Sequence, residues 1–332
     1  MTGTAAKRIV VTGVGANPGF DLTRSLQRLG HHVIATDADP LAPGLLLPDV
    51  TARLTPRADD PRYTAAVLDL CGSTRADALM VGIENDLPPL LRIQRSLTRA
   101  GVRTWLPKPD SVQTCLDKAA FHDVLTAAGI PTPRSWLPDQ LDQVPDDISL
   151  VVKPRTGHGA QNVYFCRTRG QARVLCELVP AALIQEKITG SEFTADCLVD
   201  RGARASAILR HRTRVKAGLA TVSTTFHDGQ VADRVKQTLS AVGAAGLCCV
   251  QGFITDGPQR VLITEVNVRV AGGFALTEAA GADLIGQTIN GLFHQSVQHD
   301  LLAYRPDVFL TKYTETLASG EAATLRALKE SQ

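Results

Sequence analysis

Glu265, Asn267 and Arg269 stand at alternate positions in the stretch 262–273, between apolar neighbours. Period-two alternation is the signature of a strand and puts all three on one face. A carboxylate and an amide oxygen suit a hard cation, and a guanidinium suits phosphate. One metal–phosphate site would use all three. Gly272 and Gly273 follow, as they would where backbone must approach a ligand closely. The other reading is a solvated strand face. Lys153 closes a second apolar run, 149–154, and is followed by Gly157, His158 and Gly159. Glycine-rich backbone beside a strand-borne lysine can cradle a phosphate chain, although in a Walker A loop the lysine follows the glycines. A third pattern is basic: Arg210, Arg212, Arg214 and Lys216 recur at every second residue. On one strand face such a row either meets an anion or is solvated.

These residues need a sheet-rich frame. Residues 262–270 read as the second arm of a hairpin. Its first arm is 247–254, carrying Gln251, and its turn is Asp256-Gly257-Pro258. Strands are expected over 182–188, 192–199 and 205–216, and helices over 111–128 (with Lys118), 231–245, 274–280 and 284–299. The amino-terminal part reads as a parallel β-α-β start: strand 8–13, helix 20–29, strand 32–37. Its Gly13-x-Gly15-x-x-x-Gly19 has one residue too many for a dinucleotide fingerprint, and Asp37 stands where a ribose-reading acid would sit. A parallel-sheet domain with a tight first turn is the better reading, and no Tyr-x-x-x-Lys is present. A further buried strand, 78–83, precedes Glu84-Asn85-Asp86. Acids at that carboxyl edge either hold an amine or metal or cap the helix beginning at Leu87. The prolines of 105–110 mark a linker.

Composition sets the bounds. The 332 residues, 44% hydrophobic and 20% charged, suffice for two or three subdomains. A net charge of +2 gives no electrostatic case for nucleic acid. No apolar run reaches membrane-spanning length, and no signal peptide is visible. Seven scattered cysteines lack C-x-x-C spacing and read as reduced thiols of a cytoplasmic protein.

Four pieces stand in a meaningful order: Lys118 in a helix, Lys153-Pro154 with its glycine loop, Gln185-Glu186-Lys187-Ile188-x-Gly190-x-Glu192, and Gln251 ahead of Glu265-x-Asn267-x-Arg269. This order resembles the ATP-grasp superfamily, in particular the group related to the carbamoyl-phosphate synthase large subunit. The resemblance implies an α/β ATP-grasp fold behind an N-terminal Rossmann-like pre-ATP-grasp domain. The divisions would be 1–110, 111–185 with the flap, and 186–332 with the metal site. It implies ATP and Mg²⁺ (or Mn²⁺) as cofactors. Lys118 and Lys153 would contact phosphates, with Gly157, His158 and Gly159 in the flap. Glu186, Lys187 and Ile188 would form the adenine hinge, and Glu192 would hold the ribose. Gln251, Glu265 and Asn267 would ligate metal, and Arg269 would hold the transferred phosphate. Val268 replaces the proline usual in that strand. The expected activity is ATP-dependent ligation of a carboxylate, an amino acid or small peptide, to an amine through an acyl phosphate. Arg210, Arg212 and Arg214 are then the candidates for binding that carboxylate. The expected partners are small molecules, with no nucleic acid or membrane, and a homodimer is compatible. The alternatives are a nucleotide-dependent oxidoreductase, resting on Gly13, Gly15 and Asp37, and a non-catalytic nucleotide-binding regulator.

Overall fold

The computed structural model describes residues 5–157, 161–216 and 218–314. His158 and Gly159 of the flap lie outside the described residues, as does the polar tail. The chain divides into two compact units. One comprises residues 1–106, 269–304 and 312–332, and the other comprises 107–268 and 305–311. The first boundary falls inside the proline-bearing linker. Residues 269–304 pack with the amino-terminal part rather than with the strand that precedes them, which the division at 186–332 did not foresee.

In the first unit the chain runs β1 (Arg8–Thr12), α1 (Asn17–Arg28), β2 (His32–Asp37), β3 (Thr51–Leu54), α2 (Tyr63–Ser73), β4 (Ala78–Val81) and α3 (Leu87–Arg99). The strands form a parallel sheet in the order β3-β2-β1-β4. A parallel strand covered on both faces must be apolar throughout, and Ile9, Val10 and Val11 are wholly buried. Val10, Ile34 and Leu79 pack with Val67, Leu90 and Leu97 from the helices. α1 begins three residues earlier than the pattern predicts, because Pro18 in its first turn needs no backbone donor there.

The second unit begins with two helices where the sequence suggests one. α4 spans Pro109–Leu116 and α5 spans Lys118–Ala127. Asp117 between them is extended (φ −104°, ψ 107°), and its carboxylate accepts from the Ala119 and Ala120 N–H groups. That cap starts a new helix at Lys118. There follow β5 (Ser135–Trp136), β6 (Leu150–Pro154), β7 (Tyr164–Cys166), α6 (Arg169–Leu178) and β8 (Ala182–Glu186). Their four-stranded antiparallel sheet has the order β5-β8-β6-β7, with Leu150, Val152 and Ile184 in its core. Then come β9 (Ser191–Val199), β10 (Ala205–Lys216), β11 (Leu219–Thr225), α7 (Gly229–Ala241), β12 (Gly246–Ile254) and β13 (Val261–Asn267).

In the first unit again, α8 (Ala275–Ala279) and α9 (Leu284–Leu292) are both shorter than the apolar pattern suggests. β14 (Phe309–Thr311) completes the large antiparallel sheet of the second unit, in the order β13-β12-β9-β10-β11-β14. None of the seven cysteines is in a disulfide. Among the described residues no helix is long and apolar enough to cross a membrane.

Candidate active site

The register of the large sheet puts the expected ligands on one face. Glu265 lies opposite Gln251, Gln251 opposite Thr194, and Thr194 opposite Arg210. The next row is Asn267, Cys249, Asp196 and Ile208. Directly opposed residues share a face, and so do residues two apart on a strand. Gln251, Glu265, Asn267, Glu192 and Thr194 therefore look out from the same side. Asn267 is 2% exposed, while Glu265 and Gln251 are half-buried. Thr194 Oγ1 is buried and has no hydrogen-bond partner among the described residues.

Two amide oxygens and one carboxylate fit a divalent cation only in part. Among the described residues no three His, Cys, Asp or Glu side chains gather as a metal site of their own. Mg²⁺ is commonly held by one or two carboxylates with phosphate oxygens completing its shell. The donor set therefore fits a cation that arrives with phosphates, and the orphaned Thr194 hydroxyl in the same row fits a polar ligand.

Lys153 lies within reach of the Glu265 charge. Its ammonium donates to Gln185 Oε1 at 2.8 Å. Burial pushes its pKa down to about 8, with the Glu265 charge opposing that shift and Lys118 adding to it. Lys118 is held at the start of α5: its N–H donates to the Arg155 carbonyl and its Nζ to the Gly157 carbonyl, each at 2.9 Å. Gly157 has φ +128°, which a residue with a side chain would resist. Arg155 in turn grips Asp117, at 2.5 and 3.1 Å. Two lysines thus flank the start of the glycine loop.

Other expected residues are already engaged by protein. Arg134 takes the Glu186 carboxylate, at 2.9 and 3.3 Å. The Glu186 and Lys187 N–H groups go to the Arg134 and Ser149 carbonyls. Of the three hinge residues, Ile188 is then the one whose backbone suits a base. The Lys187 ammonium lies over an aromatic face, 5.2 Å from the Phe165 ring centre. Glu192 Oε1 lies 2.9 Å from Arg212 Nε, close but not aligned as a hydrogen bond.

The basic row on β10 is not one anion-binding face. Arg210 is 2% exposed and makes a two-point pair with Asp196, at 2.9 and 3.3 Å. Burial opposes its charge, but the Asp196 carboxylate prevails and holds it above the ordinary value. Arg212 is committed to Glu192 and to the Gly218 carbonyl, at 2.8 Å. A register shift then pairs Arg214 with Val222, where an unbroken ladder from Arg212–Ser223 would bring Thr221. A one-residue slip turns a side chain to the other face. Arg210 and Arg212 thus stand as partners of acids, and Arg214 as an exposed residue between two register shifts.

Arg269 also departs from expectation. β13 ends at Asn267, so the alternation does not carry to Arg269. Arg269 belongs to the first unit, with Nη2 4.0 Å from Glu84 Oε2 and Nη1 donating to its neighbour's carbonyl, Val270 O.

The amino-terminal glycines have packing roles. A Cβ on Gly19 would meet the Gly13 carbonyl oxygen at 2.3 Å, and one on Gly82 the Thr12 carbonyl oxygen at 2.4 Å. Asp37 accepts from the Gly15 N–H at 2.7 Å and the Asp39 N–H at 3.0 Å, so its carboxylate braces the loop. Asp86 precedes α3 but makes no side-chain cap. Its carboxyl is buried beside the Thr12 and Tyr63 hydroxyls, neither aligned as a regular hydrogen bond. Burial pushes it up to about 6, and the two hydroxyls draw it partly back.

Comparison with known proteins agrees with this architecture. Residues 179–316 match the family model described as ATP-grasp in the biosynthetic pathway with Ter operon, and residues 9–105 match the PylC-like N-terminal domain. The chain carries an ATP-grasp domain behind a PylC-like N-terminal domain. Among its relatives, the phosphoribosylamine–glycine ligase of Mycobacterium leprae is 29% identical over 186 residues, 51% of this chain and 44% of that protein. The carbamoyl phosphate synthase large chain of Methanoculleus marisnigri is 21% identical over 313 residues, 82% of this chain and 29% of that one. The matches thus span less than half the length of these relatives. The L-amino acid ligase of Bacillus licheniformis shares the fold, with a TM-score of 0.68 and 18% identity over 91% of this chain and 78% of that chain. The α/β division into a parallel sheet and two antiparallel sheets is that of an ATP-grasp protein with a PylC-like N-terminal domain.

Sequence reasoning assigned no role to Gln185, Thr194 or Asp196. The available signal was a polar residue at an inward position of an apolar strand, as with Gln185 after Leu183. What each touches depends on neighbouring strands.

Proposed function

We propose that this ATP-grasp protein is an ATP-dependent ligase that joins a carboxylate to an amine through an acyl phosphate and releases ADP and phosphate. The observation that carries the reading is the shared sheet face of Gln251, Glu265 and Asn267, with Lys153 close enough for the Glu265 charge to act on it. Lys118 and Lys153 hold the triphosphate. Glu192 meets the ribose and the Ile188 backbone meets the base. Gln251, Glu265 and Asn267 would hold Mg²⁺, which when bound neutralises charge on the phosphates during transfer. The substrate carboxylate attacks the γ-phosphorus, and the bond to the β-phosphate oxygen breaks to leave ADP. The amine then attacks the acyl carbon, phosphate departs with the C–O bonding pair, and the amine proton passes to solvent.

An amino acid or small peptide is the carboxylate we favour, given the likeness to an L-amino acid ligase. The dinucleotide reading finds less support, because the Asp37 carboxylate is used by its own loop.

The test is the product. Protein, Mg²⁺, ATP and hydroxylamine are incubated with a panel of amino acids and dipeptides. The reading expects a hydroxamate with the productive carboxylate, and equal amounts of ADP and phosphate. AMP with pyrophosphate would instead indicate an adenylate and overturn the mechanism.

A further inference from the structure

Lys153 sits at the end of a hydrogen-bond chain whose direction is fixed by chemistry. Its ammonium donates to Gln185 Oε1 at 2.8 Å. Gln185 Nε2 donates to Ser135 Oγ at 2.9 Å, and Ser135 Oγ donates to the Pro133 carbonyl at 3.1 Å. A carbonyl only accepts, so the single hydroxyl proton of Ser135 is spent on Pro133. Toward Gln185 that hydroxyl can only accept. The amide must then turn its NH₂ to Ser135 and its oxygen to Lys153. An ammonium has no lone pair, which demands the same orientation. Both ends of the chain thus fix the amide.

The sheet register keeps these groups together. Ser135 lies opposite Gln185, and Gln185 lies opposite Val151, two residues before Lys153 on the same face of β6. Gln185 is 7% exposed. The acceptor offered to the lysine is a neutral amide. A carboxylate at that position would aim the ammonium equally well, but would neutralise it against the phosphate it is there to meet.

We propose that the Pro133–Ser135–Gln185 relay is a positioning device for Lys153, aiming its ammonium at the phosphates of a bound nucleotide without neutralising it. This rests on the nucleotide reading of the site. The test is calorimetric binding of ATP, ADP and adenosine, with Mg²⁺ present, to the full chain and to Gln185→Leu, Ser135→Ala, their combination and Gln185→Glu. Each protein's melting temperature is measured alongside.

Losing a hydrogen bond to a charged group should weaken ATP and ADP about tenfold in Gln185→Leu and leave adenosine unchanged. Ser135→Ala should weaken the same two ligands about threefold, and should add nothing in the Gln185→Leu background. Gln185→Glu keeps the acceptor but should still weaken ATP relative to adenosine. Unchanged ATP affinity in Gln185→Leu, equal loss of adenosine binding, or full additivity of the two substitutions would overturn the relay. If Gln185→Leu does not fold, Ser135→Ala decides: selective loss of the phosphate-bearing ligands supports the relay, and no selective loss overturns it. A parent protein that binds no ATP overturns the nucleotide reading itself, a result distinct from failure of the relay.

Discussion

Asp86 shows how a single side chain can resist two sequence readings at once. It stands at the carboxyl edge of a parallel sheet and just before a helix, yet it makes no cap and instead lies buried beside Thr12 and Tyr63. Its carboxyl is shifted from 3.8 to about 6, chiefly by burial. Below pH 3.8 the group is protonated in both the folded and the unfolded chain. Between that value and about 6 the folded protein holds the proton more tightly, so its contribution to stability falls as pH rises. Above about 6 the contribution is flat. The whole drop is at most about 3 kcal/mol, on the scale of 1.36 kcal/mol per pH unit. Asp86→Asn should remove this slope and leave the protein at least as stable at pH 7. Urea unfolding of both proteins between pH 4 and 7 reads the difference, which cancels the slopes of other carboxylates. A difference constant across that range would show that Asp86 is not held neutral by burial.

At the scale of the element, β10 carries the larger lesson. Its basic residues alternate as an anion-binding face would, but the two inner arginines serve acids on neighbouring β9. Arg210 and Asp196 form a buried pair, and removing one member leaves the other charge uncompensated. Arg210→Met should therefore cost about 3–5 kcal/mol of stability. Combining it with Asp196→Leu should recover most of that loss, because a buried pair replaced by apolar groups is often neutral. Denaturant midpoints of the two single variants and the double variant make the measurement. A single Arg210→Met that unfolds like the parent would return Arg210 to the list of substrate-binding candidates. The irregularity at Arg214 belongs to the same logic, since a register shift on each side of it displaces that one residue from the ladder, which resumes its register at Val215.

For the whole molecule, the division into two units has a thermodynamic consequence. Every described residue assigned here to the nucleotide or cation, from Lys118 to Asn267, belongs to the second unit. A ligand that binds only the folded form stabilises it by mass action. Mg·ATP at a hundred times its dissociation constant should raise the stability of the second unit by about 2.7 kcal/mol, and NADH should raise neither unit. Scanning calorimetry checks this, in one transition or two. A shift produced by NADH and not by ATP would revive the dinucleotide reading.

Much of the candidate site's geometry was legible in the sequence because alternation is a local property. Glu265 and Asn267 share a face whatever strand lies beside them, and a lysine ending an apolar run must sit at a strand end. The order of these pieces along the chain carried the superfamily. Local pattern cannot say which partner a polar group finds. Arg210 looks the same in sequence whether it meets Asp196 or a substrate, and only strand register and burial decide between them. The end of β13 at Asn267, before Arg269, and the commitment of Asp37 to its own loop are of the same kind. So is the Gln185 amide, whose orientation is fixed by Ser135, 50 residues away in the chain. The sequence determined which chemical groups line the strands. The tertiary structure determined which of them remain available to a ligand, because hydrogen bonds and ion pairs are satisfied by whatever the fold brings within reach.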